Sequence, residues 1–127
     1  MILEEVHALV VEDNPQTTRL IRMMLQDMNV ANIITAKDGI EAQEILDLGD
    51  DHVDVILCDW RMPRMTGLEL LKQVRNSRPK MPFMMVTANA DVESIRTAAA
   101  SGVSSYIAKP FSPAQLKSKL VAMIEKI

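Results

Sequence analysis

Val53-Asp54-Val55-Ile56-Leu57-Cys58-Asp59-Trp60-Arg61-Met62-Pro63 decides how the rest of the chain is read. Its apolar run from Val55 to Cys58 leaves no solvent-facing alternation, so both faces of the strand it forms are covered. Such a strand belongs in the middle of a parallel sheet. Asp59 closes the run, at the C-terminal end where open α/β sheets gather their chemistry. Two other apolar runs end in polar residues: Leu9-Val10-Val11 leads into Glu12-Asp13, and Phe83-Met84-Met85-Val86 leads into Thr87. Three carboxylates and a hydroxyl thus converge on one rim, as a metal-assisted phosphate site requires.

Strand signals at about 6–12, 32–36, 53–59, 82–87 and 104–108 alternate with segments of helical spacing. Ile21, Met24, Leu25 and Met28 share one helix face, and Leu116, Leu120, Ile124 and Ile127 form a stripe on the last helix. Asn14-Pro15 reads as an N-cap followed by proline at the first helical position. Thr66-Gly67-Leu68-Glu69 and Ser112-Pro113-Ala114-Gln115 read as capping boxes. Strands alternating with helices predict an α/β fold, a parallel sheet with helices on both faces.

A length of 127 residues suits one domain, expected to span 1–127. Aromatics make up 3% of the chain, so the ten methionines must share in the packing. A net charge of −3 offers no field for nucleic acid. Cys58 stands alone inside a strand, which excludes a disulfide framework and reads as a buried, inert thiol. With no membrane-length apolar stretch and no export signal at the N-terminus, a cytoplasmic location is expected.

Glu12 and Asp13 repel one another, and a third carboxylate nearby would make a bound cation favourable. Oxygen ligands without His or Cys suit Mg²⁺. Asp59 is a candidate ligand, nucleophile or both, since a carboxylate that attacks phosphorus forms an aspartyl phosphate. Lys109, after the strand Ser105-Tyr106-Ile107-Ala108, offers a cation to the phosphoryl oxygens, and Thr87 offers a hydroxyl. Gly39, Gly49, Gly67 and Gly102 are scattered, so neither a dinucleotide fingerprint nor a P-loop exists. His7 and His52 stand singly, without metal-ligand spacing, and Trp60 and Tyr106 form no base-stacking platform.

The series Glu12-Asp13, Asp59, Thr87, Lys109-Pro110 resembles the receiver domain of two-component response regulators. The likeness covers almost the whole chain and is strongest to stand-alone chemotaxis regulators of the CheY type. It is carried by Asp59-Trp60-Arg61-Met62-Pro63, Gly67-Leu68-Glu69-Leu70-Leu71-Lys72, Val86-Thr87-Ala88 and Tyr106-Ile107-Ala108-Lys109-Pro110-Phe111. It implies a flavodoxin-like five-stranded sheet in the order 2-1-3-4-5. It also implies a phosphoacceptor rather than an enzyme: Asp59 would take a phosphoryl group from a histidine kinase. Asp13, Asp59 and the backbone carbonyl of Arg61 would bind Mg²⁺, with Glu12 assisting. Lys109 would contact the phosphoryl group, Thr87 and Ala88 would adjoin it, and Tyr106 would rotate inward on activation. A downstream protein would read the change on the face of the fourth helix, fifth strand and fifth helix. The Lys109-Pro110 peptide would be cis. A monomer is implied, with phosphorylation-dependent dimers as a further state.

Six positions depart from the chemotaxis pattern. Glu12 and Thr66 each stand where Asp is usual. Arg61 replaces Asn two residues after the phosphoacceptor, and Asn89 replaces Glu two after the threonine, both positions that tune the phosphate's lifetime. Val92, and Ala122 with it, stand where motor-binding relatives often carry lysine, which leaves the output partner open. Two alternatives remain. One is a receiver from a longer DNA-binding regulator or hybrid kinase, since the end at Ile127 just past the last helix signal fits either an intact single-domain protein or a piece of a longer one. The other is a phosphatase of the haloacid-dehalogenase type, but those enzymes need a second Asp where this chain has Arg61.

Overall fold

Successive side chains of a strand point to opposite faces, so an unbroken apolar run must feed two cores at once. The computed structural model describes residues 1–49, 53–88 and 91–127, which leaves His52 and Asn89 outside the described residues. In it β3 (Val55–Cys58) does feed two cores. Val55 and Leu57 face one side with Ala8, Val10, Met84 and Val86, while Ile56 and Cys58 face the other with Leu9, Val11, Phe83 and Met85.

Around β3 lie β1 (His7–Val11), β2 (Asn32–Ala36), β4 (Phe83–Thr87) and β5 (Ser105–Ala108). All pairings are parallel and the order is β2-β1-β3-β4-β5, a flavodoxin-like arrangement with β3 at the centre. Helices α1 (Pro15–Asp27) and α5 (Pro113–Ile124) close the first core through Ile21, Leu25, Leu116 and Leu120. Helices α2 (Gly39–Asp47) and α3 (Gly67–Ser77) close the second through Ala42, Leu46, Leu70 and Val74. The remaining helix, α4 (Val92–Ala100), buries only Ala98 and exposes Val92 and Ile95. Seven of the ten methionines are buried, among them Met84 and Met85 at the sheet's centre, where flexible thioethers fill the space that few aromatics occupy.

Local signals explain the helix starts. The Asn14 side chain accepts from the Gln16 and Thr17 amides, with Pro15 opening α1. Thr66 and Ser112 complete reciprocal capping boxes with Glu69 and Gln115. Two boundaries differ from expectation. The strand expected over 53–59 is shorter, because the Asp54 carboxylate takes the His7 amide at 2.8 Å and delays the ladder. Ile127 is 54% exposed and off the apolar stripe, because α5 ends at Ile124.

At the sheet's lower edge one side chain ties three segments together. The Arg75 guanidinium donates to the carbonyls of Met81 (2.6 Å), Gly102 (2.7 Å) and Arg78 (3.3 Å), and to Ser104 Oγ (3.1 Å). Ser104 Oγ in turn accepts from the Phe83 amide at 3.0 Å, so the network reaches the start of β4. Arg75→Met keeps the apolar stem and removes every donor. Urea unfolding should show a loss of about 2–3 kcal/mol, the scale of several charge-assisted hydrogen bonds to partly buried carbonyls. A change under about 0.5 kcal/mol would mean that water replaces the guanidinium at no cost.

Candidate functional site

Strands β1, β3 and β5 each continue their hydrogen bonding one residue past their ends. The Glu12 amide donates to Ala36 (3.0 Å), the Asp59 amide to Val11 (3.0 Å) and the Lys109 amide to Thr87 (2.9 Å). These extensions hold three ionic side chains at the C-terminal rim. The following turn is equally constrained. The Gly67 amide donates to the Trp60 carbonyl at 2.8 Å, and a Cβ at Gly67 would collide with the Asp59 carbonyl oxygen. Only glycine lets α3 begin this close to the strand end.

Carboxylate oxygens of Glu12, Asp13 and Asp59 lie within 4.8 Å of one another. Lys109 Nζ stands between two of them, 2.8 Å from Glu12 Oε1 and 3.4 Å from Asp59 Oδ2. The other Asp59 oxygen accepts from the Trp60 amide at 2.7 Å. Glu12 also accepts from the Asp13 amide at 3.1 Å, although only 3% of the residue is exposed. Burial, reinforced by neighbouring Asp59 and opposed by Lys109, pushes the Glu12 carboxyl up to about 7. Burial works against the Lys109 ammonium, but the bond to Glu12 and the charge of Asp59 outweigh it, and its pKa rises. This is a site short of positive charge.

Its donor set fits a hard divalent cation. All three side chains offer oxygen, no imidazole or thiolate ligand joins them among the described residues, and Asp13 remains exposed at the mouth. Arg61, whose carbonyl is the expected fourth donor, follows in the turn after Asp59 with its side chain exposed. Thr87 is 1% exposed at the end of β4, in register with Ala108, and Ala88 beside it is exposed. The Lys109-Pro110 peptide is cis.

Tyr106 lies half-buried in β5. Its hydroxyl is buried, and it finds no hydrogen-bond partner among the described residues. Burial, with the charge of Asp91 adding to it, raises the phenol's pKa. The ring packs against the core under α3, which holds it inside. On the neighbouring surface Val92 is 65% exposed and Ala122 is exposed as well.

Sequence reading passed over two residues at this rim, Asp38 and Arg64. Asp38 caps α2 and is followed three positions later by Glu41, a capping signature that was there to be found. Arg64 has a left-handed backbone (φ 67°), and nothing in its residue type announces that.

The response regulator receiver domain model matches residues 8–121. The chain belongs to that family. Chemotaxis protein CheY-3 of Vibrio cholerae is 39% identical to this receiver over 121 residues, 94% of this chain and 92% of the relative. Among solved structures, chemotaxis protein CheY4 of Vibrio cholerae superposes with a TM-score of 0.86 at 30% identity, covering 94% of this chain and 98% of that one. The receiver domain of the Pseudomonas aeruginosa sensor histidine kinase PA1611 gives a TM-score of 0.85 at 29% identity, covering 95% and 98%. That relative carries a magnesium ion coordinated in its active site cleft.

The charge balance of this receiver generates a prediction. Mg²⁺ at tenfold excess over its Kd should stabilise the fold by about 1.4 kcal/mol, a few degrees in Tm. Asp13→Ala should lose most of that response. Asp13→Lys, which supplies the missing positive charge in place, should raise the Tm of the metal-free protein. Thermal scans with and without EDTA read both effects, and an Asp13→Ala response equal to wild type would remove Asp13 from the ligand set.

Proposed function

We propose that this receiver accepts a phosphoryl group on Asp59 from a histidine kinase, in a Mg²⁺-dependent step, and signals through protein contacts. The observation that carries the reading is Lys109 held between Glu12 and Asp59 beside the open carboxylate of Asp13. The Trp60 amide occupies Asp59 Oδ1, so Oδ2, which faces Lys109, is the oxygen that attacks. Its lone pair forms the new P–O bond as the P–N bond of the phosphohistidine breaks. The pair from that bond stays on the departing imidazole, which takes up a proton. Asp13, Asp59 and the Arg61 carbonyl, with Glu12 assisting, would hold Mg²⁺, whose charge would offset that of the transferring oxygens.

This chain's own residues do the rest. Lys109 can leave Asp59 for a phosphoryl oxygen without leaving the site, because Glu12 holds its other side. Thr87 and Ala88 stand at the neighbouring strand end and sense the new group. The readout is the surface of α4, β5 and α5, where exposed Val92 and Ile95 favour a partner with an apolar contact patch. The likeness to chemotaxis proteins supports a chemotaxis or related two-component pathway, acting in the cytoplasm as a monomer or as a phosphorylation-dependent dimer.

Acetyl phosphate with Mg²⁺ should add one phosphoryl group to the intact protein, read by mass spectrometry. Asp59→Asn should abolish the addition, because an amide is too poor a nucleophile; undiminished labelling would sink the assignment. A second expectation concerns lifetime. Exposed Arg61 can swing over the phosphoryl group, pair with one of its oxygens and obstruct the attacking water. Asn89, in place of a carboxylate, removes a competitor for that guanidinium. Arg61→Asn should therefore speed dephosphorylation several-fold, on the order of 1 kcal/mol in the barrier. Decay after donor removal, at constant Mg²⁺, measures this, and unchanged or slower decay rejects the shielding role.

A further inference from the structure

The turn that follows Asp59 has no regular secondary structure of its own until α3 begins at Gly67, yet its Arg61 carbonyl must be held in place if it is to serve as a ligand. Something outside the turn has to fix it. Its ends are tied by the Asp59 and Gly67 amides, and between them the Met65 amide donates to the Pro63 carbonyl at 2.7 Å. That tight closure forces Arg64 into the left-handed region at φ 67°. Long side chains gain nothing from this conformation, which glycine or asparagine adopts more readily.

The compensation lies across the rim. Arg64 Nε donates to Asp38 Oδ2 at 3.0 Å, and its Nη2 converges on the same oxygen. The Asp38 side chain is 4% exposed, whereas that of Arg64 is 56% exposed, so a mobile surface cation is anchored by a buried, immobile carboxylate. Asp38 itself is fixed from behind, since Oδ1 accepts from the Glu41 amide at 2.9 Å as the cap of α2. That amide first, and Arg64 after it, hold the Asp38 carboxyl below the usual range. A second contact reinforces the seam. A Cβ at Gly39 would meet the Met65 side chain at 2.7–2.9 Å, so the absence of a side chain at α2's first residue is what lets Met65 dock there.

We infer that Arg64, through its ion pair with Asp38, is a positioning residue that clamps the turn after Asp59 onto the start of α2. The pairing holds the Arg61 carbonyl where a divalent cation meets it. Arg64 pairs with Asp38 rather than with Glu12, Asp13 or Asp59. It acts by suppressing the turn's alternative conformations, so the entropy of ordering the turn is not charged against metal binding. The inference rests on the divalent-cation reading of the Glu12-Asp13-Asp59 cluster.

Arg64→Asn keeps a residue that accepts the left-handed backbone and removes the ion pair, and Asp38→Asn keeps the cap on Glu41 while removing the charge. Two measurements on each variant, on the double variant and on wild type decide the matter. The first is amide hydrogen exchange of residues 60–65 in metal-free protein. The second is the Kd for Mg²⁺, read from the fluorescence of Trp60, the only tryptophan and the neighbour of Asp59. Either single variant should exchange these amides at least tenfold faster and bind Mg²⁺ about three- to tenfold more weakly, and the double variant should be little worse than either. A purely structural role would lower the Tm while leaving both readouts unmoved below the transition. Unchanged exchange and Kd in Arg64→Asn, beside a wild type that responds to Mg²⁺, overturns the clamp alone. A wild type with no Mg²⁺ response overturns the cation site and the clamp with it.

Discussion

An ammonium lodged between two carboxylates is the contact on which this receiver's chemistry depends. Glu12 and Lys109 are 97 residues apart in the chain, and β3 and β4 lie between their strands in the sheet. Neither short-range structure nor a single hairpin can create the pairing. The whole parallel sheet has to be in register before the lysine reaches its partners. The lysine also works against the uptake of a proton that burial and neighbouring Asp59 favour at Glu12. Assembly of the fold and readiness of the site are therefore one event.

Much of this could be read from the residues. The unbroken Val55–Cys58 run announced a covered central strand, and the acids after Val11 and Cys58 announced the rim, because a two-residue period and a strand end are local facts. The caps at Asn14, Thr66 and Ser112 were legible for the same reason. What escaped depended on partners distant in sequence. Asp54 shortens β3 by capturing the His7 amide, which no strand propensity encodes. Arg64 drew no attention, since its meaning comes from a backbone angle and from a buried acid in another loop.

The two ends of the molecule divide the labour. The upper rim concentrates charge in a tightly bonded setting, with a glycine that permits no side chain and a turn tied at both ends. The lower edge uses the Arg75 network to join the end of α3 to the loops flanking β4. Between them the two cores are filled largely by aliphatic and methionine side chains, which repack at low cost because thioethers have soft torsions and no preferred stacking geometry.

That arrangement makes α4 a lever. Its C-terminal end is held where Ala98 is buried and where the Gly102 carbonyl meets Arg75, while its first turns lay exposed Val92 and Ile95 over the surface. Tilting a helix normally costs the apolar area it uncovers, roughly 25 cal/mol per Å². Here the opening turns have little such area to uncover, and the Asp91 cap, which accepts from the Ser94 amide and hydroxyl, travels with the helix. A helix held firmly at one end and lightly packed at the other has its cheapest motion at the tip.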